Sequence, residues 1–174
     1  MNQQTDKPTA AQDRLIHGYD RMLQRTGQTL ATAAARSELV LSHTLNMARD
    51  KAIELGELTR EEADKVHDFV TRDLYAAGRH LAMEERDIAD WLRLDLLAIE
   101  KELLNRFSGL AQAAKFELKH LEKARKRFDE WHTGEVTTIG TLRCQHCGEV
   151  VHFERTARIP PCPKCHTSVF ERVK

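Results

Sequence analysis

The sequence predicts a mostly α protein with a small β module at its C-terminal end, and three observations carry that expectation. Apolar residues recur at three- and four-residue spacing through most of the chain, the mark of amphipathic helices. At Trp131-His132-Thr133-Gly134 that pattern stops, and β-branched residues and turn formers take over. All four cysteines lie beyond that point, as Cys144-Gln145-His146-Cys147 and Cys162-Pro163-Lys164-Cys165, so the pattern is C-x2-C, fourteen residues, C-x2-C. Two such knuckles, each offering two sulfurs from one tight turn, can close a tetrahedral four-thiolate site. The full expectation is a long antiparallel helical hairpin, a third helix and a small C-terminal β zinc ribbon.

Taken in order, residues 1–12 read as a disordered tail containing Pro8 and small polar residues. Residues 13–131 read as a coiled helical hairpin domain, and residues 132–174 as a four-cysteine ribbon domain. The first helix runs from about Asp13 to Leu55, proline-free, with a seam through Leu23, Gly27, Leu30, Ala34, Ser37, Leu41, Leu45, Ala48, Ala52 and Leu55. Gly56 suits the left-handed position that ends a helix. Thr59-Arg60-Glu61-Glu62 is a capping box that starts the next one. The second helix carries Val70, Leu74, Ala77, Leu81, Ile88, Leu92, Leu96, Ile99 and Leu103, with the stripe weakening at Met83-Glu84-Glu85-Arg86-Asp87. Each of these helices would extend roughly 60–75 Å at about 1.5 Å per residue. Ser108-Gly109 reads as a break, and a third helix follows on Phe107, Ala111, Ala114, Leu118, Leu121 and Phe128.

In the ribbon, strands are expected over Val136–Arg143, Glu149–Glu154 and Ser168–Arg172. A module of about 40 residues is too small to bury an adequate core alone, so the metal is expected to supply folding energy. The helices have their own seam, so the ribbon reads as a separable appendage.

Composition excludes several classes. Lys plus Arg equals Asp plus Glu, 27 of each, so the chain as a whole is no basic nucleic-acid binder. The N-terminal stretch has no apolar core of a signal peptide, and no transmembrane run or lipidation motif is visible. A cytoplasmic protein is expected, where thiols stay reduced and metal is favoured over disulfide. There is no P-loop, nucleophile elbow, HExxH or Gly-rich dinucleotide motif, so no enzyme is indicated.

For the site itself, one structural Zn²⁺ per chain on Cys144, Cys147, Cys162 and Cys165 is the favoured reading. A rubredoxin-like iron centre uses the same four sulfurs and stays open as an alternative. Cys162 to His166 also spells the haem-attachment string C-x-x-C-H, but haem leaves the upstream pair unexplained. A thioredoxin-like dithiol lacks its βαβ setting. His146 and His166 flank the thiolates and read as exposed turn residues, and Glu84 with Asp87 as a solvated pair. Lys115, Lys119, Lys123 and Arg127 recur every four residues, with Arg125 and Lys126 alongside. This basic stripe on the third helix reads as a surface balanced by Glu117 and Glu122, with phosphate or nucleic-acid binding as the sharper alternative.

At this point the chain resembles the YbeL-like bacterial zinc-ribbon proteins, a domain family of unknown function. The resemblance lies in Gly56-Glu57-Leu58-Thr59-Arg60, in His132-Thr133-Gly134-Glu135-Val136, and in the two cysteine pairs with Phe170 and Arg172 after them. His166 stands where that family's ribbon usually has glycine. The resemblance implies a helical N-terminal region, a zinc ribbon and a cytoplasmic location, and it supplies no activity.

The functional expectation is a non-enzymatic interaction or adaptor protein with protein partners. A nucleic-acid- or transcription-associated factor is the alternative. A helical hairpin with a four-cysteine module is also the plan of regulators that probe the secondary channel of bacterial RNA polymerase. On that analogy Glu54, Glu57, Glu61 and Glu62 would lie at the tip.

Overall fold

The computed structural model describes residues 10–33, 41–83, 87–93, 99–118 and 129–173. Five helices come first: α1 Ala10–Ala33, α2 Leu41–Glu54, α3 Arg60–Leu81, the single turn α4 Ile88–Leu92, and α5 Lys101–Leu118. The strands follow: β1 Trp131–His132, β2 Val136–Thr137, β3 Gly140–Cys144, β4 Val150–Phe153, β5 Ala157–Arg158 and β6 Val169–Arg172. The class is the expected one, mostly α with a C-terminal zinc ribbon. The helix lengths are not.

Where one helix was expected over residues 13–55, α1 and α2 are separate and pack against each other. Ala10, Ala11 and Gln12, inside the stretch read as tail, are part of helix α1. The expected second helix is likewise divided: α3 ends at Leu81 with its cap at Ala82, next to the segment where the apolar stripe weakens. Helix α5 begins at Lys101 and runs straight through Ser108-Gly109. A helical glycine costs about 1 kcal/mol against alanine, but Phe107, Leu110, Ala111 and Ala114 are buried around it and carry the helix past that point. The result is a short bundle rather than a coiled hairpin of rods. Seam periodicity fixes which face is buried; it does not fix where the helix stops.

The α2–α3 hairpin is built as its residues dictate. Gly56 has φ of 68°, and the amides of Gly56 and Glu57 return to Ile53 and Ala52 oxygens at 3.0 Å each. That is the Schellman closure of a helix end. Thr59 Oγ1 accepts from the Glu62 amide at 3.2 Å, and Glu62 Oε2 accepts from the Thr59 amide at 2.9 Å, completing the capping box.

Helices α3 and α5 approach closely at Gly78, where an added Cβ would sit 2.7 Å from the Lys115 nitrogen and 2.8 Å from Ala114 Cβ. Only a bare backbone permits that spacing. Met22 and Leu23 of α1, Leu45 and Ala48 of α2, and Val66 and Val70 of α3 bury their side chains in the same core.

The ribbon is a four-stranded antiparallel sheet in the order β1-β6-β3-β4 with a separate β2-β5 pair. The strand expected over Val136–Arg143 is two strands, because Gly140 takes φ of 133° and turns the chain between them. Ribbon residues Trp131, Val136, Ile139, Leu142 and Phe170 belong to the same continuous core as the helices. The ribbon is therefore packed into the bundle and does not hang from it.

Candidate metal centre

The two knuckles repeat one local geometry. In the first, the Gly148 amide donates to the Cys144 oxygen at 3.0 Å and the Cys144 amide to the Glu149 oxygen at 2.8 Å. In the second, the His166 amide donates to the Cys162 oxygen at 2.9 Å and the Cys162 amide to the Thr167 oxygen at 3.0 Å. Gly148 has φ of 76° and His166 φ of 58°, so the residue after each second cysteine takes the left-handed conformation. His166 thus fills the backbone role of a glycine at some steric cost. Register joins the knuckles: β3 pairs with β6 so that Cys144 lies opposite Phe170.

The four Sγ atoms lie within 4.8 Å of one another, with Cys144 to Cys165 and Cys147 to Cys162 each at 3.5 Å. A tetrahedral zinc with bonds of about 2.3 Å needs sulfurs about 3.8 Å apart, so the donor set fits the ion in number, chemistry and spacing. The Thr167 hydroxyl lies 3.1 Å from Cys144 Sγ and 3.0 Å from Cys165 Sγ. That hydrogen bond leads the causes that pull the Cys144 thiol down to about 6 and lower that of Cys165. A group that favours thiolate favours metal. Among the described residues, no other group of three or more His, Cys, Asp or Glu brings its ligand atoms together. His146 and His166 are exposed, as expected of turn residues.

Sequence reasoning missed a second cluster, at the seam between bundle and ribbon. Asp73 of α3 is fully buried. Its Oδ2 accepts from Tyr19 Oη at 2.7 Å, Thr137 Oγ1 at 2.8 Å and the Thr138 amide at 3.2 Å. Its Oδ1 accepts from Trp131 Nε1 at 2.7 Å and Arg72 Nε at 3.2 Å. Arg172 of β6 brings Nη2 to 3.9 Å from Asp73 Oδ1 and donates to Thr137 Oγ1 at 2.9 Å. Its guanidinium lies over Trp91 at 4.4 Å and Trp131 at 5.2 Å from the ring centroids. Arg72 reaches across to Glu135 and to the Val136 oxygen. Burial would push the Asp73 carboxyl up, but Arg72, Arg172 and its hydrogen-bond donors hold it below the usual carboxylate range. Burial likewise pushes the Tyr19 phenol well up and brings the Arg172 guanidinium down to about 10.

A signal for this cluster was present. Val66, Val70, Asp73 and Ala77 follow the three-four spacing of the α3 seam, which places a carboxylate on the apolar face. Arg172 follows Phe170 by two residues, so strand alternation turns it inward as well.

The other expected residues are less gathered. Lys115 is half-buried on α5, whereas Lys119, Lys123, Arg125, Lys126 and Arg127 lie outside the described residues, as does Glu84. At the hairpin tip, Glu57 pairs with Arg25 at 2.6 Å, Glu61 with Lys65 at 2.7 Å, Glu54 with Lys51 at 2.9 Å and Glu62 with Arg14 at 2.9 Å. No described helix is long and apolar enough to cross a membrane.

A β ribbon with two matched knuckles and a four-sulfur cage defines a zinc-ribbon protein with one structural Zn²⁺ site. The chain belongs to the family described as "Zinc-ribbon containing domain", which it matches over residues 28–174. It is also similar to "Uncharacterized protein YbeL" of Escherichia coli strain K12, 26% identical over 150 residues that cover 83% of this chain and 89% of that protein. The proteins of the same name from strains O6:H1 and O157:H7 match to the same extent. No solved structure matches the chain.

Proposed function

We propose that the protein is a non-enzymatic interaction or adaptor protein of the cytoplasm in which zinc is structural. The observation that carries this reading is the composition of the cage. Four thiols fill a tetrahedral ion's coordination and leave no position for a substrate or an activated water. An all-thiol site also favours a reducing compartment. The buried cluster around Asp73 supports the reading further, because it fixes ribbon and helices as one body able to present a constant surface.

The RNA polymerase alternative finds less support. The α2–α3 hairpin is 14 and 22 residues long, roughly 20 and 33 Å, instead of the 60–75 Å the sequence suggested. Its tip carboxylates face basic neighbours. The ribbon has six basic and four acidic residues, which a doubly negative four-thiolate zinc site brings close to neutral.

The experiment is affinity capture from a bacterial lysate with the zinc-loaded chain as bait, run beside a fluorescence titration with mixed DNA and RNA at about 150 mM salt. The reading expects stoichiometric protein partners and nucleic-acid binding no tighter than about 10⁻⁶ M, the non-specific range. Tight nucleic-acid binding with steep salt dependence would replace it with the transcription-associated reading.

A further inference from the structure

The four cysteines of the cage do not share one environment. Cys144 and Cys162, the first cysteine of each knuckle, are 1% and 0% exposed. Cys147 and Cys165, the second of each, are only half-buried. A molecule arriving from solvent therefore meets Cys147 or Cys165 first.

Two features separate those two. The first is the Thr167 hydroxyl, which lies 3.0 Å from Cys165 Sγ and 3.1 Å from Cys144 Sγ. A hydroxyl donating to a thiolate draws charge from the sulfur and lowers its nucleophilicity. Cys147 Sγ has no hydroxyl beside it among the described residues; it meets the Glu149 amide and the other cysteines. The second feature is the residue that follows. After Cys147 comes Gly148, where even an added Cβ would meet nothing within 4 Å. After Cys165 the same left-handed position holds His166, with φ of 58°. The space left open on the first knuckle is thus filled from Cβ outward on the second. Cys147 also has a neighbour across the cage, because its Sγ lies 3.5 Å from that of Cys162.

We propose that Cys147 is the reactive sulfur of the cage, and that hydrogen peroxide opens the zinc site there. The Cys147 thiolate attacks one peroxide oxygen. An S–O bond forms, the O–O bond breaks, and the departing hydroxide takes a proton to become water. The Cys162 thiolate then attacks the Cys147 sulfur. An S–S bond forms, the S–O bond breaks, and the second hydroxide also leaves as water. Two thiolates have given two electrons to one peroxide, and zinc, left with Cys144 and Cys165, is released. Ribbon and helices share one core, so loss of the ion reaches the whole fold. This adds an oxidant response to the site, whichever partner the protein has.

The test uses the zinc-loaded full chain. A substoichiometric amount of N-ethylmaleimide, which marks the most reactive thiolate, is followed by digestion and mass spectrometry. The first adduct is expected on Cys147, in roughly threefold or greater excess over Cys165. Hydrogen peroxide should release zinc to a chelating dye and leave a Cys147–Cys162 disulfide in the peptide map. His166→Gly removes the imidazole at a position whose backbone suits glycine. Thr167→Val removes the hydroxyl. Each should raise the share of label on Cys165 roughly threefold, whereas Thr167→Ser, which keeps the hydroxyl, should leave the wild-type order. Should Thr167→Val fail to hold zinc, the wild type and His166→Gly decide the question. A first adduct on Cys165, or one spread evenly over both cysteines, would overturn the proposal. So would zinc retained in peroxide, a disulfide between another pair, or an order that neither substitution moves.

Discussion

Asp73 on α3 and Arg172 on β6 lie 3.9 Å apart across the seam between bundle and ribbon, separated in the chain by the whole of α4, α5 and the zinc site. Each is buried. The last strand of the ribbon thus delivers a charge into the helical core, starting three residues after the second knuckle closes at His166. This relationship makes the ribbon a part of the fold instead of the appendage that its small size and separate seam suggested.

Asp73→Asn keeps the shape and removes the charge, leaving Arg72 and Arg172 buried beside a neutral amide. Breaking a buried pair in this way typically costs about 3–5 kcal/mol. Urea unfolding followed by circular dichroism should show a loss of that order. A loss within about 0.5 kcal/mol, the range of ordinary surface substitutions, would mean that the cluster contributes nothing specific.

The acid limb of stability follows from the same residue. Asp73 is held below its ordinary value when folded. A carboxylate of depressed folded pKa contributes stability above its unfolded pKa of about 3.9, and the contribution fades as pH falls through the folded value. Zinc loss on thiol protonation also lowers stability in acid, but wild type and Asp73→Asn share it. The difference in stability between them should therefore be constant from about pH 5 to about pH 7 and shrink below about 4. A difference that persists to about pH 2 would place the effect in packing and not in charge.

Metal removal should reach the helices. Ribbon and bundle share one core, so Cys162→Ser should lower the thermal midpoint read from helical circular dichroism as well as that of the ribbon. A loss of about 3 kcal/mol corresponds to roughly 6–12 °C for a chain of this size. A helical midpoint unchanged by zinc loss would show two independent units.

Gly78→Ala tests the α3–α5 approach. Helix propensity alone favours alanine by about 1 kcal/mol. Here the new methyl meets the Lys115 nitrogen and Ala114, and forcing it in should cost about 1–3 kcal/mol. Chemical denaturation should therefore report net destabilisation, and a stabilised variant would mean that the helices stand further apart.

Much of this was legible in the chain, and the parts that were not share a cause. Cys144, Cys147, Cys162 and Cys165 announce their site because ligand spacing is a local property that survives any packing. Gly56 and Thr59-Glu62 announce the α2–α3 turn for the same reason, since caps are made by neighbours in sequence. The separation of α1 from α2 and the helix end at Leu81 were hidden, because a continuous seam reads alike whether the helix is straight or folded back. Gly109 misled in the opposite direction: a glycine in an exposed turn of a helix is tolerated when Phe107 and Ala111 on either side are buried. Asp73 and Arg172 were overlooked because each is ordinary alone. Their significance comes from a partner about a hundred residues away, which only the fold brings near.

X-ray absorption at the zinc edge, on protein purified without added metal and quantified by elemental analysis, tests the closed structural site most directly. The account predicts one zinc per chain with four sulfur neighbours at about 2.3 Å and no light-atom ligand. Iron in place of zinc, or a nitrogen or oxygen neighbour in the fit, would contradict it by opening the centre to electron transfer or to catalysis.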